Sequence, residues 1–298
     1  MTPLILDGRK ASSAILSRLK HTIDSKKKTR DPQLCIVQVG DDPASKIYIQ
    51  QKENRCKEFG ILSKHVSLPR NSTIASIETE LKKLRADQSI DGILLQLPLA
   101  TETPISLDDS QKLIECIGAE KDADGLTIYN QGRLFCGEST PIKKKLPMDW
   151  VAPIPATALG IYRLLEEYKI SLLGKKITVV GKSRSVGMPT ATLLSHAGAT
   201  VTICHSKTKD LGDALKGAEI IIACAGVPEL IKPDQISEGV VLVDVGIHRR
   251  ADGKLGGDVH ADCLAKSSAY SPVPGGVGPM TVGSLLENLF ELYRRHSH

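Results

Sequence analysis

Aromatic side chains make up only 3% of the 298 residues, with a single tryptophan and three phenylalanines. That scarcity leaves no ladder of rings on which a single-stranded nucleic acid would stack. Excess charge is also small: 39 basic against 34 acidic residues leave +5, which favours small anionic substrates and is far from a nucleic-acid footprint. No apolar run approaches the length of a membrane span. The seven cysteines form no Cys-x-x-Cys pair; their odd number and scatter fit reduced thiols in a reducing compartment, and no metal site is expected. The opening Met-Thr-Pro-Leu-Ile-Leu-Asp lacks a charged stretch before an apolar core and brings an acid early. A cytoplasmic location is therefore expected, with a mitochondrial one as the alternative.

What is present is an alternation of strand and helix signals in a chain long enough for two domains. A helix over 8–28 carries Ala11, Ala14, Ile15, Leu16, Leu19 and Ile23 on one side and frays into a solvated basic run. Strand, helix, strand, helix and strand follow over 34–39, 45–59, 65–68, 74–84 and 92–97, a βαβαβ pattern that implies a parallel sheet. Prolines, glycines and lysines crowd 136–155, and the domain boundary is placed there. The fold class expected is α/β with two αβ domains: a parallel-sheet catalytic domain over 1–150 and a Rossmann-like dinucleotide-binding domain over 151–280, with a cleft between them. The last helix, 281–298, is expected to pack back on the first domain.

The second domain is organised around Ile177–Val180, a β-branched run with the composition of a buried parallel strand. It ends at Gly181; Gly187 leads into a helix with Pro189 in its first turn. Strand, glycine turn and helix N-terminus together make an anion site, in which free N–H groups and the positive helix end face one spot. The pattern is not G-x-G-x-x-G, since Ser183 stands in the middle and the outer glycines are six apart. Read alone, it fits a dinucleotide turn or a plain αβ turn. The next strand runs into His205-Ser-Lys-Thr-Lys209, where an NAD site would place an acid. Hydroxyls and cations suit a 2′-phosphate instead, so NADP is expected and NAD is the second choice; the bland reading is a solvated basic loop.

On the helix after Gly40, Tyr48, Lys52, Cys56 and Phe59 share one arc at 100° per residue. A lysine in an apolar stripe loses hydration, which favours its neutral, proton-accepting form; at a groove edge it would merely snorkel. Tyr-x-x-x-Lys also invites a short-chain dehydrogenase reading, but there the pair follows the glycine turn, whereas here it precedes it. Gln96 is an amide in an apolar run, either a bonded core group or a site residue. Asp124, in Lys-Asp-Ala-Asp-Gly, is either a turn former or a carboxylate aimed at a ligand. The glycine loop 275–278 is a helix entry or a wall against a flat ligand.

In these stretches, and in Val243-Asp-Val-Gly-Ile247, Gly257-Asp-Val259 and Pro272-Val-Pro-Gly-Gly-Val-Gly-Pro-Met-Thr281, the chain resembles the bifunctional methylenetetrahydrofolate dehydrogenase/methenyltetrahydrofolate cyclohydrolase family. The resemblance implies oxidation of 5,10-methylenetetrahydrofolate with NADP and hydrolysis of the product to 10-formyltetrahydrofolate. It implies Lys52, Gln96 and Tyr48 as catalytic residues and Tyr48, Asp124, Pro274, Gly275 and Gly276 as folate-binding residues. Thr157, Gly181, Lys182, Ser183, Val186, Ser206 and Ile247 would bind the cofactor. It also implies a homodimer, with neither nucleic acid nor membrane as partner. Departures from the family pattern are Pro155-Ala-Thr-Ala158, His248 in place of a common Asn, and extra length over 136–150. The rival readings are a non-catalytic nucleotide-binding scaffold and a monofunctional dehydrogenase.

Overall fold

The computed structural model describes residues 2–24, 30–138, 152–249 and 253–296. In chain order its elements are β1 (Leu4–Ile5), α1 (Gly8–Asp24), β2 (Gln33–Val39), α2 (Pro43–Glu58), β3 (Leu62–Leu68), α3 (Ile74–Ala86), β4 (Gly92–Leu95), α4 (Leu107–Ile117), α5 (Ile128–Phe135) and α6 (Ala156–Glu167). They continue with β5 (Lys176–Val180), α7 (Gly187–His196), β6 (Thr200–Cys204), α8 (Leu211–Lys216), β7 (Ile220–Ala223), β8 (Val241–Asp244), β9 (His248–Arg249), β10 (Leu255–Gly256), β11 (Ala269–Tyr270) and α9 (Val277–His296). The chain is α/β, and its contacts divide it into two units.

One unit holds the βαβαβ segment, from residue 15 to the end of α5, together with residues 285–296 of α9. Its parallel sheet has the order β3-β2-β4. The central strand β2 is buried almost throughout, whereas the edge strand β3 is largely exposed. Two covered faces require a continuous apolar run, and β2 supplies one in Leu-Cys-Ile-Val. Side chains of β2, α3, β4 and α4 make the core beneath: Val37, Ile77, Leu81, Ile93 and Leu113. Within the same unit, the Asn288 amide of α9 donates to the carbonyls of Ala123 (2.9 Å) and Ile154 (2.8 Å). The Tyr293 hydroxyl donates to Arg30 O (2.6 Å).

The other unit holds residues 2–14 and 157–284. Its six strands run in the order β1-β11-β8-β7-β5-β6, and every pair is parallel. The first residues differ from the sequence expectation. Leu4 pairs with Ala269 and Ile5 with Tyr270, so residues 2–14 belong with this sheet rather than with the βαβαβ unit. A two-residue strand has too little pattern to be read; its partner lies more than 260 residues away along the chain. The segment over 139–151, which contains most of the expected boundary and extra loop, lies outside the described residues, as does the basic run over 25–29. Among the described residues no helix is long and apolar enough to cross a membrane.

Candidate active site

In the βαβαβ unit the parallel ladder decides which side chains meet. Gln96 follows β4 directly, and its backbone N–H still reaches Val37 O of β2 (2.8 Å). The same end of β2 turns through Gly40 into α2, where the Asp42 carboxylate caps the helix by accepting from Ser45 N (2.7 Å). Lys52 lies three turns along that helix, and its Nζ donates to Gln96 Oε1 (2.7 Å). Gln96 Nε2 donates in turn to Leu97 O (2.7 Å), which fixes the amide so that its oxygen faces the amine. Burial lowers the Lys52 pKa, opposed in part by the Asp124 charge. Tyr48, one turn earlier on α2, is half-buried, and its phenol is pushed up by desolvation.

Asp124 arrives beside β4 because Ile93 N donates to Lys121 O (2.6 Å) and Ala123 N to Ile93 O (3.3 Å), a short parallel bridge. Its neighbour Asp122 is fully used. Oδ1 accepts from Leu126 N (3.1 Å), and Oδ2 accepts from Thr127 N, Thr127 Oγ1 and Asn130 Nδ2 (each 2.8 Å). The Asp124 carboxylate makes no hydrogen bond within the described chain. Burial pushes its pKa up to about 6, Lys52 pulls it down, and Asp122 pushes it further up. Asp124 is half-buried, and a desolvated acid without a donor is costly unless a ligand supplies one. Composition alone could not separate these two aspartates; the difference lies in donors delivered by α5.

In the other unit the nucleotide-type turn is present, with one change. Gly181 has φ +133°, and a Cβ there would lie 2.4 Å from Cys224 O; a Cβ on Gly187 would lie 2.1 Å from Gly181 O. Only glycine lets this turn close. However, Ser183 Oγ accepts from Val186 N (3.2 Å) and Gly187 N (3.3 Å), and Ser183 O accepts from Met188 N (3.0 Å). Thr190 N reaches Val186 O (2.9 Å) and Pro189 has no N–H. The expected free donors of the helix end are thus already spent, because the hydroxyl in the middle position folds back onto them. The backbone N–H groups of Lys182, Ser183 and Ser185, in the turn itself, make no hydrogen bond within the described chain.

Lys182 and Ser206 follow adjoining strands, since Val180 pairs with Cys204 and Gly181 N donates to Cys204 O (2.9 Å). Ser206 is exposed on a tight turn in which Thr208 N donates to His205 O (2.8 Å) and His205 N to Thr208 Oγ1 (2.9 Å). Val186 is half-buried at the start of α7. Thr157 lies in the first turn of α6, where Thr281 Oγ1 donates to its Oγ1 (3.4 Å). Ile247 is 39% exposed, with its Cδ1 beside Gly278. Pro274, Gly275 and Gly276 form a turn closed by Gly276 N to Pro272 O (2.7 Å) and held to α1 by Gly8 N donating to Gly275 O (2.9 Å). The sequence reading passed over the Leu97 carbonyl that orients Gln96, and gave no role to Asp244 and Asp258. The one signal for the aspartates is that each stands next to or two residues from a glycine.

Comparison with known proteins identifies the family of the chain. Residues 6–124 match the tetrahydrofolate dehydrogenase/cyclohydrolase catalytic domain, and 155–297 the NAD(P)-binding domain of the same family. The bifunctional protein FolD of Geotalea uraniireducens is 41% identical over 293 residues, covering 98% of this chain and 99% of its own. The crystal structure of the bifunctional FolD methylenetetrahydrofolate dehydrogenase/cyclohydrolase of Campylobacter jejuni is similar with a TM-score of 0.87 at 39% identity, over 98% of each chain. The Trypanosoma brucei methylenetetrahydrofolate dehydrogenase-cyclohydrolase, complexed with NADP and an inhibitor, gives 0.85 at 31%, again over 98% of each chain. With both halves matched and near full-length identity of about two residues in five, the chain belongs to the tetrahydrofolate dehydrogenase/cyclohydrolase family.

Proposed function

We propose that this chain oxidises 5,10-methylenetetrahydrofolate to the methenyl form with NADP and then hydrolyses that product to 10-formyltetrahydrofolate. The observation that carries the reading is Lys52: a half-buried amine bonded to Gln96 and electrostatically coupled to Asp124, a carboxylate with no hydrogen bond within the described chain. NADP, when bound, supplies the hydride acceptor. The residues present fit it, with turn N–H groups at Lys182, Ser183 and Ser185 for phosphate oxygens. A cation and a hydroxyl, Lys182 and Ser206, stand at neighbouring strand ends where an acid would repel a 2′-phosphate. Gly181, Val186, Thr157 and Ile247 complete the cofactor's contacts in this proposal.

On the folate side, the Asp124 carboxylate accepts from N–H groups of the pterin, and the Tyr48 ring packs on it. Pro274, Gly275 and Gly276 give a backbone surface for the substrate. Burial lowers the pKa of Lys52, held by Gln96, which favours the form of the amine that carries a lone pair. In hydrolysis the amine takes a proton from the water that adds to the methenyl carbon and returns it to the ring nitrogen as the carbon–nitrogen bond opens, while the added hydroxyl releases its proton to solvent as the formyl carbonyl forms. A neutral amine also avoids a second positive charge beside the cationic methenyl group.

The test is a coupled assay of purified protein with 5,10-methylenetetrahydrofolate, following reduced cofactor and methenyl absorbance with NADP and then NAD. NADP reduction followed by decay of the methenyl signal is expected. Reduction with lasting methenyl accumulation would indicate a monofunctional dehydrogenase, and no reduction at all a non-catalytic scaffold. The proposal includes a homodimer, which sedimentation at micromolar protein would overturn by showing a monomer. It also includes a cytoplasmic location, in keeping with seven free cysteines; recovery of the protein in an organelle fraction would overturn that.

A further inference from the structure

Asp244 and Asp258, in the unit of residues 157–284, are buried carboxylates to which the proposed reaction gives no role. Asp244 Oδ1 accepts from Gly246 N (3.0 Å) and Asp258 N (2.9 Å), and its Oδ2 from Val259 N (2.9 Å). Asp258 Oδ2 accepts from Ala225 N (2.7 Å) and Gly226 N (2.9 Å). Its Oδ1 lies 2.7 Å from Nε2 of His248. The backbone is pressed onto both groups: a Cβ on Gly246 would fall 2.1 Å from Asp258 Oδ1, and one on Gly257 1.9 Å from Asp244 Oδ2.

The two carboxylates therefore tie together the segments after β7, β8 and β10. Two of these leave the C-terminal ends of parallel strands, where such sheets bind their ligands. The segment after β7 begins at Cys224, whose carbonyl lies against Gly181 of the nucleotide turn. The segment after β8 carries Ile247, whose Cδ1 lies beside Gly278. Every donor to this pair is a backbone N–H except His248. A carboxylate oxygen can only accept, so Asp258 Oδ1 takes the His248 tautomer that donates through Nε2. The His248 side chain is 19% exposed and the Asp258 side chain 0%, so the ring closes the network on its outer side.

We infer that His248 is a positioning residue for the dinucleotide: by donating to Asp258, its ring holds the 225–226 and 246–247 turns in the arrangement that receives the cofactor. It acts through Asp258 and touches no reacting atom. This inference rests on the NADP reading above.

The test is a fluorescence titration with NADPH, together with rates of NADP-dependent oxidation and of methenyltetrahydrofolate hydrolysis. His248→Leu removes the donor and is expected to weaken NADPH binding and raise the NADP KM about tenfold, the worth of one bond to a charged acceptor. Hydrolysis, which consumes no dinucleotide, should keep its kcat. His248→Asn, which retains an N–H donor, should restore binding to within about threefold of the wild type. If His248→Leu melts too low to titrate, His248→Ala replaces it with the same expectations. Unchanged NADPH affinity in the donor-free variant overturns the inference. So does an Asn variant no better than Leu, or an equal loss of hydrolysis, which would mark a purely structural residue. A wild-type protein that binds no NADPH would instead sink the underlying NADP reading, and the inference with it.

Discussion

Asp244 is a buried carboxylate and Asp124 a half-buried one, in different units, and desolvation pushes each up to about 6. Asp244 accepts backbone N–H groups on both oxygens. Asp124 accepts none within the described chain and stands in the field of the half-buried Lys52. The shared pKa direction thus says little about role; the partners separate them. A carboxylate whose donors come from the fold holds loops together, and one with no donor keeps its acceptor oxygens available to a ligand. Within the βαβαβ unit, Asp122 and Asp124 repeat the contrast two residues apart.

The largest effect should come from the open site. Lys52→Met should lower methenyltetrahydrofolate hydrolysis by about 10²–10⁴, the span of general acid–base catalysis, while NADPH affinity measured by fluorescence stays unchanged. Undiminished hydrolysis would remove Lys52 from the mechanism. At the closed site, Asp122→Ala should destabilise the protein by roughly 3 kcal/mol, because buried donors from Thr127 and Asn130 lose their acceptor. A denaturant midpoint equal to the wild type would contradict the structural role.

Asp124→Ala should raise the folate KM about ten- to a hundredfold and leave the NADP KM alone, as expected for loss of charge-assisted bonds. In the wild type, folate affinity should weaken as pH falls through about 6, since protonation removes the acceptor. Calorimetry showing flat affinity from pH 5 to 8 would sink this role for Asp124. The cofactor end should respond less. Ser206→Asp sets a carboxylate at the proposed 2′-phosphate site, so the NADP/NAD ratio of kcat/KM should fall about tenfold. A ratio unchanged from wild type would return the turn after Cys204 to ordinary solvated loop.

The segment from β2 to β4 was legible because its strands are continuous apolar runs and its helices keep one buried face. Lys52 could be singled out for the same reason: a charge within an apolar stripe breaks the pattern. β1, β9, β10 and β11 were not legible, since each is two residues long and exists through pairing with a partner strand. The spent donors of α7 were also hidden. Whether Ser183 faces a phosphate or folds back onto Val186 and Gly187 depends on torsion angles that residue types do not specify. Likewise, nothing in Lys-Asp-Ala-Asp-Gly tells which aspartate α5 will satisfy.

The central claim is that Asp124 is held open at a cost to the fold, and Asp124→Asn tests it most directly. With a folded-state pKa raised from 3.8 to about 6, the native state holds the extra proton across that window. Stability contributed by this group is therefore greatest below 3.8 and is lost as pH rises to 6 and beyond. At pH 7.5 the neutral amide should melt higher than wild type, by roughly 2–4 °C for each kcal/mol of penalty relieved, while calorimetry shows folate binding at least about tenfold weaker. A variant that melts lower and binds folate as well as the wild type would make Asp124 a structural acid like Asp122 and contradict the account.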